Sequence, residues 1–353
     1  MSNQKLLLID GNSILNRAYF ALPPLNDKDG CNVNAVYGFV NILLKCLDNY
    51  KPDKLVVAFD KRGHNFRKDL YPDYKANRKG MPDDLAQQMP VLHELLNRLS
   101  ITVVEKEGVE ADDIIGTVSK SFDGESFIVS GDRDMWQLVS DKVTVLYTKR
   151  GVTEVEVITP ETLMSNYNLC PSQVIEYKAL RGDSSDNIPG VKGVGEKTAM
   201  LLLSKYGDIE FLYQNIHKEK GALREKLEQN KELAFISRVL ATIVTDADVE
   251  FDLTATSTLS YSNEAKELLE KLQFRTVLEK FAVDSGGMFE NNIEVSSEDI
   301  ISAERFGEVL SQMEKSPFFA FHFSEGCVML SSDAKKQYKV LWSNNFLDEL
   351  NEQ

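Results

Sequence analysis

Glu110, Asp112 and Asp113 put three carboxylates into four positions, just ahead of the apolar run Ile114-Ile115-Gly116-Thr117-Val118. One acid at the start of a helix needs no special chemistry. An aspartate caps the first turn, and the partly positive helix N-terminus favours negative charge. Three acids exceed what a cap requires. Asp132 and Asp134 follow the apolar segment Phe127–Ser130, and Asp10 and Asp60 each end an apolar run of their own. Carboxylates gathered in this way repel one another unless a cation holds them, and hard oxygen ligands select magnesium or manganese. The chemistry on offer is that of a divalent-metal site.

Alternating strands and helices must position these acids. Lys5-Leu6-Leu7-Leu8-Ile9 is a continuous apolar strand of the kind buried on both faces of a parallel sheet. It ends at Asp10-Gly11-Asn12-Ser13, a turn and helix cap. Val33 to Tyr50 has helical periodicity, with Val36, Phe39, Val40, Leu43, Leu44 and Leu47 on one stripe. Leu55 to Phe59 is a second buried strand, ending at Asp60. Pro82-Asp83-Asp84 opens a helix through Leu99. Then come a strand at Ile101–Val104, the acidic helix from about Glu110, strands at Phe127–Ser130 and Val143–Leu146, and a hairpin partner at Val152–Ile158. Up to about residue 160 this predicts an α/β domain with a mostly parallel sheet and helices on both faces. Ligands of such sheets bind at the carboxyl ends of the strands. Asp10, Asp60, Asp132 and Asp134 are all placed there. Aspartate is common after strands, so the set carries the argument and no single member does.

Two further stretches suit phosphate. Between Lys61 and Lys79, the bases Lys61, Arg62, Arg67, Lys68, Lys75, Arg78 and Lys79 alternate with His64, Phe66, Tyr71 and Tyr74. Bases among aromatics fit a phosphate backbone with stacked nucleobases, although a solvated basic loop has the same composition. From Pro160 to about Ala282 the chain reads as helical. A helix over Ser172–Leu180 leads through Arg181 to Gly190 into Val191-Lys192-Gly193-Val194-Gly195-Glu196-Lys197-Thr198-Ala199, then a helix through Lys205. Glycines at 190, 193 and 195 permit a tight hairpin and close approach of another molecule. The backbone N–H groups opening the next helix can hold a phosphate, with Lys192 and Lys197 adding charge.

The net charge of −15 argues against a nucleic-acid partner until its distribution is seen. Twelve acids against five bases fall between Phe289 and Gln353, so nearly half the excess sits in the tail. Footprints are set by patches, and ions bound to the clustered acids would neutralise much of the rest. The hydrophobic fraction of 42% indicates a folded chain. No transmembrane run or signal peptide is evident, and Cys31, Cys46, Cys170 and Cys327 are widely spaced without metal-binding pattern. Free thiols, a cytoplasmic location and no membrane partner are expected. Ser285-Gly286-Gly287 reads as a linker. Beyond about Glu290 come a helix over Glu298–Lys315 and strands at Phe318–Phe323, Cys327–Ser331 and Gln337–Trp342, too short a segment for a large core.

These motifs resemble the 5′-nuclease domain at the N-terminus of bacterial DNA polymerase I, within the flap endonuclease and 5′–3′ exonuclease superfamily. The resemblance is carried by Leu8-Ile9-Asp10-Gly11-Asn12-Ser13, Val57-Ala58-Phe59-Asp60, Phe66 through Arg78, Glu110-Ala111-Asp112-Asp113, Ser130-Gly131-Asp132-Arg133-Asp134 and Gly182 through Gly190, in the family's order over about residues 5 to 285. It implies a PIN/5′-nuclease-like catalytic domain over 1–165 with a helical arch at about 61–82. A helical DNA-binding domain with a helix-hairpin-helix follows over 166–288, then an α+β stub over 289–353. It implies two or more magnesium (or manganese) ions. Asp10, Asp60, Glu110 and Asp112 hold one, and Asp112, Asp132, Asp134 and Asp186 the second, with Asp113 and Asp183 completing the acidic set. Two metals stabilise the attacking water and the leaving oxygen in line, so no histidine base is needed.

The resemblance also implies that Lys75 and Arg78 contact the scissile phosphate with Arg17 close by, that Tyr74 stacks on an unpaired base, and that Arg67 joins the DNA-binding set. Lys192, Gly193, Val194, Gly195, Lys197 and Thr198 would hold duplex DNA, with a potassium ion at the hairpin carbonyls. Phosphate contacts do not read sequence. Specificity is therefore expected for structure: 5′ flaps, nicks and RNA–DNA primer junctions, processed by a nucleoid-associated monomer working beside a polymerase. The stub departs from the family: His322 stands where a proofreading exonuclease carries its first-strand aspartate, three positions before Glu325. Neither proofreading nor polymerase activity is expected of this chain. Two other readings remain: a protein that grips flaps without cutting them, and a PIN-type ribonuclease, a class lacking the arch and the glycine hairpin.

Overall fold

Leu6, Leu7, Leu8 and Ile9 are each no more than 1% exposed, which requires a strand covered on both faces. The computed structural model describes residues 4–150, 154–253, 259, 262–284, 296–300, 302–313, 320–324, 327–331 and 336–341. They fall into two compact units, Met1–Phe281 and Ala282–Gln353.

The first unit is built on a six-stranded sheet. Its strands are β1 (Lys5–Asp10), β2 (Lys54–Lys61), β3 (Thr102–Glu107), β4 (Glu125–Ser130), β5 (Val143–Arg150) and β6 (Glu154–Ile158), in the order β3-β2-β1-β4-β5-β6. Every neighbouring pair is parallel except β5 and β6. Helices α1 (Gly11–Ala21) and α2 (Asn34–Tyr50) connect β1 to β2. The short α3 (Phe66–Leu70) and the longer α4 (Asp83–Arg98) connect β2 to β3, and α5 (Ala111–Ser121) connects β3 to β4. The first two crossovers run one way across the sheet and the third runs back. Right-handed crossovers in opposite directions put their helices on opposite faces. The chain reverses between β1 and β4, and their carboxyl ends open the crevice where such sheets bind ligands.

Among the described residues nine α-helices follow in the order of the chain. In the first unit these are α6 (Pro160–Tyr167), α7 (Gln173–Arg181), α8 (Glu196–Tyr206), α9 (Ile209–Gln214), α10 (Gly221–Gln229), α11 (Lys231–Ala241), α12 (Asn263–Lys271) and α13 (Arg275–Asp284), within which the unit closes. The ninth, α14, belongs to the second unit. One core runs from the sheet into the helices: Leu6, Leu8, Val56 and Ile128 join Ile114, Ile115 and Val118 of α5 and Leu180, Leu203, Leu212 and Leu227 of the helical part. The α7–α8 hairpin is closed by glycines. Gly190 has φ +62°, and a Cβ there would lie 2.3 Å from the Gly182 nitrogen. Gly190→Ala is expected to destabilise the unit by at least about 1–3 kcal/mol, the usual cost of such strain. Urea unfolding checks it, and an unchanged midpoint would remove the constraint.

The second unit holds β7 (Ser296–Ile300), α14 (Ala303–Met313), β8 (Ala320–Ser324), β9 (Cys327–Ser331) and β10 (Lys336–Leu341) in a sheet ordered β7-β10-β9-β8. Its small core includes Ile300, Val309, Met313, Leu330 and Val340. The helix expected from Glu298 begins later. Glu298 to Ile300 pair with Tyr338 to Val340 as a parallel strand, which buries Ile300. The 285–287 linker and Glu325 lie outside the described residues, and of His322 only the backbone pairing with Met329 is described.

Candidate active site

Five elements bring the acids to one end of the sheet. Asp10 ends β1 and caps α1, accepting from the Ser13 amide at 3.0 Å and from the Ser130 hydroxyl at 2.7 Å. Asp60, near the end of β2, accepts from the Ala111 amide at 2.8 Å. Asp112 lies in the first turn of α5. Asp132 follows β4 and caps the short 3₁₀ helix Arg133–Leu138, which carries Asp134. Asp10, Asp60, Asp112 and Asp132 line one cavity of about 240 Å³ together with Asn12, Ser13, Asn16, Lys75 and Arg78. Acids suited to cations and cations suited to phosphate thus share one space.

Burial in like-charged company sets the protonation of this cluster. Burial, with Asp60 and Asp132 nearby, pushes the Asp10 carboxyl up to about 7. Asp134 is likewise pushed up to about 7 by burial and by Asp132, even though Lys178 pairs with it. Asp112 is raised by burial, then by Asp132 and Asp10. Carboxylates held this way are hard donors in need of charge compensation, and this donor chemistry fits a divalent cation. The protein's own ammonium and guanidinium groups partly supply that compensation. Among the described residues no group of three acids is arranged to hold a metal ion as it stands. Lys75 lies 2.9 Å from Glu110 and 3.9 Å from Asp186, Arg78 is paired with Asp186, and Lys178 bridges Asp134 and Asp183.

This cluster makes stability depend on pH. Asp10 and Asp134 have folded-state values raised above their unfolded ones, so the stability they contribute is fully present below the unfolded value and is lost as pH rises through about 7. Asp183, held down at about 2 against burial chiefly by Lys178, acts only at much lower pH. Thermal unfolding in EDTA is therefore expected to show a falling midpoint from pH 5 to pH 8, and magnesium is expected to restore it. A midpoint that rises over this range would contradict the assignment.

Several expected site residues are engaged elsewhere. Asp113, expected to complete the acidic metal-binding set, is 3% exposed and both its oxygens are engaged. Both its oxygens accept from Arg67 at 2.7 Å, and Oδ1 also accepts from the Val244 amide at 2.8 Å. Arg67, expected to bind DNA, is 2% exposed and also donates to the Leu240 and Thr242 carbonyls. It is a buried tie between α5, α3 and the end of α11. Tyr74, expected to stack on an exposed base, is 3% exposed and donates to Glu110 at 3.1 Å. Glu110 itself sits among Lys75, Arg67, Tyr74 and Asn65. Lys75 and Arg67 outweigh its burial and hold it below the usual carboxylate range. Asp183 pairs with Lys178 at 2.5 Å and borders a neighbouring cavity. Arg17 donates to the Lys149 carbonyl at 2.8 Å and does not line the acidic cavity.

The stretch expected as an arch contains only the five-residue helix α3 followed by turns, and it docks on the loop after α7. Asn77 donates to the Ser184 carbonyl, Asn187 to the Asp73 carbonyl, and the Lys75 amide to the Asp186 carbonyl. Lys75 is held at φ +57°, a left-handed conformation a lysine adopts only when its surroundings impose it. In the glycine hairpin, Lys192, Gly193, Gly195 and Lys197 are exposed and Thr198 is half-buried. Val194, expected at the DNA surface, is buried, and its amide donates to the Val191 carbonyl. No side chain caps α8, so its first-turn amides stay available to an anion.

Some participants escaped the sequence reading. Ser130 bridges the site by donating to Asp10 and accepting from the Asp132 amide. Ser13 accepts from the Gly131 amide, and Asn12 from the Asp60 amide. Lys178 gave no signal beyond a lysine five positions before Asp183.

Residues 5–168 match the 5′-3′ exonuclease N-terminal resolvase-like domain, and residues 169–266 match the 5′-3′ exonuclease C-terminal SAM fold. Among curated relatives, DNA polymerase I of Caldicellulosiruptor bescii is 45% identical over 292 residues, covering 81% of this chain and 34% of the relative. DNA polymerase I of Bacillus subtilis is 44% identical over 319 residues, covering 89% and 36%. The chain thus spans about a third of the length of these relatives. A T5 5′-exonuclease structure with bound zinc superposes with a TM-score of 0.57 at 21% identity, over 80% of this chain and 98% of that one. The catalytic core of Rad2 in complex with DNA superposes with a TM-score of 0.51 at 18% identity, over 80% and 91%. At such identities these two structures show a shared fold.

Proposed function

The chain belongs to the 5′-3′ exonuclease family, and from that premise we propose that it is a divalent-metal-dependent, structure-specific 5′ nuclease. It hydrolyses phosphodiester bonds at DNA 5′ flaps, nicks and RNA–DNA primer junctions. The observation that carries this reading is that one cavity is lined by Asp10, Asp60, Asp112 and Asp132 together with Lys75 and Arg78.

Asp10, Asp60, Asp112 and Asp132, with Asp134, Asp186 and Glu110 at the margins, would hold two magnesium or manganese ions. Asp113 and Asp183 are left out because both oxygens of each are taken, by Arg67 and the Val244 amide in the first and by Lys178 and Ser185 in the second. Bound divalent ions lower the pKa of water and neutralise charge on the oxygens of the phosphodiester being cut. The chain's own contribution is positional. Lys75 and Arg78 offer their charges to the scissile phosphate, which competes for them with Glu110 and Asp186. Ser130 and Ser13 fix the Asp10 carboxylate and the turn that follows β4. The uncapped N-terminus of α8, with Lys192 and Lys197, grips backbone phosphates of the duplex, with potassium at the hairpin carbonyls. None of these contacts reads a base edge, so the substrate is selected by shape. The flaps are those a DNA polymerase displaces.

Labelled double-flap DNA incubated with magnesium, beside the same reaction in EDTA, tests the reading. Cutting at or one nucleotide from the junction, only with metal, is expected. Tight flap binding without cutting under any divalent metal would replace the nuclease by a flap-binding protein.

A further inference from the structure

A second and larger cavity, about 610 Å³, adjoins the acidic one and shares Asp132 with it. Three aromatic residues and one arginine come together on one side. Trp136 and Arg133 belong to the 3₁₀ helix after β4, Tyr147 to β5, and Tyr167 ends α6. The Trp136 ring packs on Tyr167 at 4.5 Å and edge-on against Tyr147 at 5.5 Å. The Arg133 guanidinium lies 5.1 Å from the Trp136 ring, 5.8 Å from Tyr147 and 5.9 Å from Tyr167. On the other side Tyr177 and Arg181, one turn apart on α7, stack at 5.6 Å. Arg133 and Arg181 are exposed and make no ion pair among the described residues. Trp136 is 4% exposed, yet its Nε1 has no hydrogen-bond partner.

These features define a ligand class. The Tyr177 ring and the guanidinium planes can stack on a flat ring. The two guanidiniums, which make no ion pair among the described residues although Arg133 hydrogen-bonds to Tyr147, suit a phosphate. A simple organic cation does not fit, because Arg133 already occupies the aromatic cluster. The volume lies in the range of small-molecule sites. We propose that this cavity binds a single unpaired nucleotide, its base stacked on Tyr177 and its phosphate at Arg181 and Arg133. That class has two sources: the unpaired end of a DNA strand reaching the acidic cavity, or a free mononucleotide. Only the choice of source rests on the nuclease reading.

The test uses the full chain with Trp342→Phe, which leaves Trp136 as the sole tryptophan. Deoxyadenosine 5′-monophosphate is titrated in EDTA while Trp136 fluorescence is followed. A saturable change is expected with the nucleotide and none with inorganic phosphate or deoxyribose 5-phosphate. Tyr177→Ala and Arg181→Ala are each expected to weaken binding about ten-fold, as loss of one stacking or charged contact does. Tyr177→Phe keeps the ring and retains binding, which separates lost stacking from lost folding. An identical response to phosphate alone, no response to nucleotide, or unaltered affinity in the alanine variants would overturn the proposal. Flap DNA with an abasic 5′ end separates the sources. A Tyr177→Ala penalty on the intact flap that vanishes on the abasic flap assigns the cavity to the DNA strand; equal penalties, with mononucleotide binding intact, assign it to a free nucleotide. A protein that cuts flaps but ignores the mononucleotide refutes this site alone, and one that binds the mononucleotide but never cuts refutes the nuclease alone.

Discussion

Asp112→Asn is expected to abolish flap cleavage in magnesium while leaving flap binding in EDTA largely unchanged. Asp112 lines the acidic cavity with Asp10, Asp60 and Asp132, and its carboxyl is raised by burial and by all three of those neighbours. The amide is nearly isosteric but carries no charge. It removes one hard anionic donor from the set that would hold the metal, whose charge stabilisation would be worth several kcal/mol. A fall in rate of about a thousand-fold or more corresponds to about 4 kcal/mol of that stabilisation. The same substitution relieves like-charge crowding, so the variant is expected to unfold at a higher temperature than the parent in EDTA at pH 8. Single-turnover cleavage of labelled flap, anisotropy in EDTA and a thermal scan read the three effects. Binding and cleavage lost in equal measure would remove Asp112 from the metal site and make it a structural residue.

Arg67→Ala is expected to act on stability. The guanidinium spans both oxygens of Asp113 and two backbone carbonyls, at 2% exposure. Removing it strands the buried Asp113 carboxylate, and breaking a buried pair from one side typically costs about 3–5 kcal/mol. Replacing both partners by apolar groups, as in Arg67→Met with Asp113→Leu, is expected to recover much of that loss, because no charge is left buried. Denaturant unfolding of the single and double variants forms the cycle. A single-variant loss below about 1 kcal/mol would mean that the pair is open to water and behaves as a surface ion pair. In that case the expectation that Arg67 faces DNA would return.

The acids at the strand ends were legible from the sequence, and the reason is local. A parallel strand buried on both faces leaves a continuous apolar run, and the residue just past that run sits at the rim where the sheet binds its ligands. Asp10 and Asp60 were therefore placed by the runs Leu6–Ile9 and Leu55–Phe59, and Asp132 by Phe127–Val129. Helix α4 was equally legible, because Pro82 and two first-turn acids mark its start. The strand Ser296–Ile300 was not: its acids read as helical, and only its pairing with Tyr338–Val340 makes it a strand.

Tertiary structure alone decided which of the gathered charges remain available. Asp112 and Asp113 are neighbours in sequence, but on a helix they point about 100° apart. One lines the cavity and the other meets Arg67, whose position depends on how the segment after β2 packs on α11. Composition likewise marked Arg67, Tyr74, Lys75 and Arg78 as one basic, aromatic surface. The fold buries the first two and turns the last two toward the acids, through contacts with residues more than a hundred positions away. Nothing in the pattern pointed to Lys178, because a lysine becomes a counter-ion only when two carboxylates are folded against it. The sequence by itself determined that a row of carboxylates meets the ends of a parallel sheet, since the apolar period dictates where each strand stops. Whether each carboxylate faces a cavity or a buried cation was decided by packing between distant segments, where desolvation makes an unpaired charge too costly to leave unpartnered.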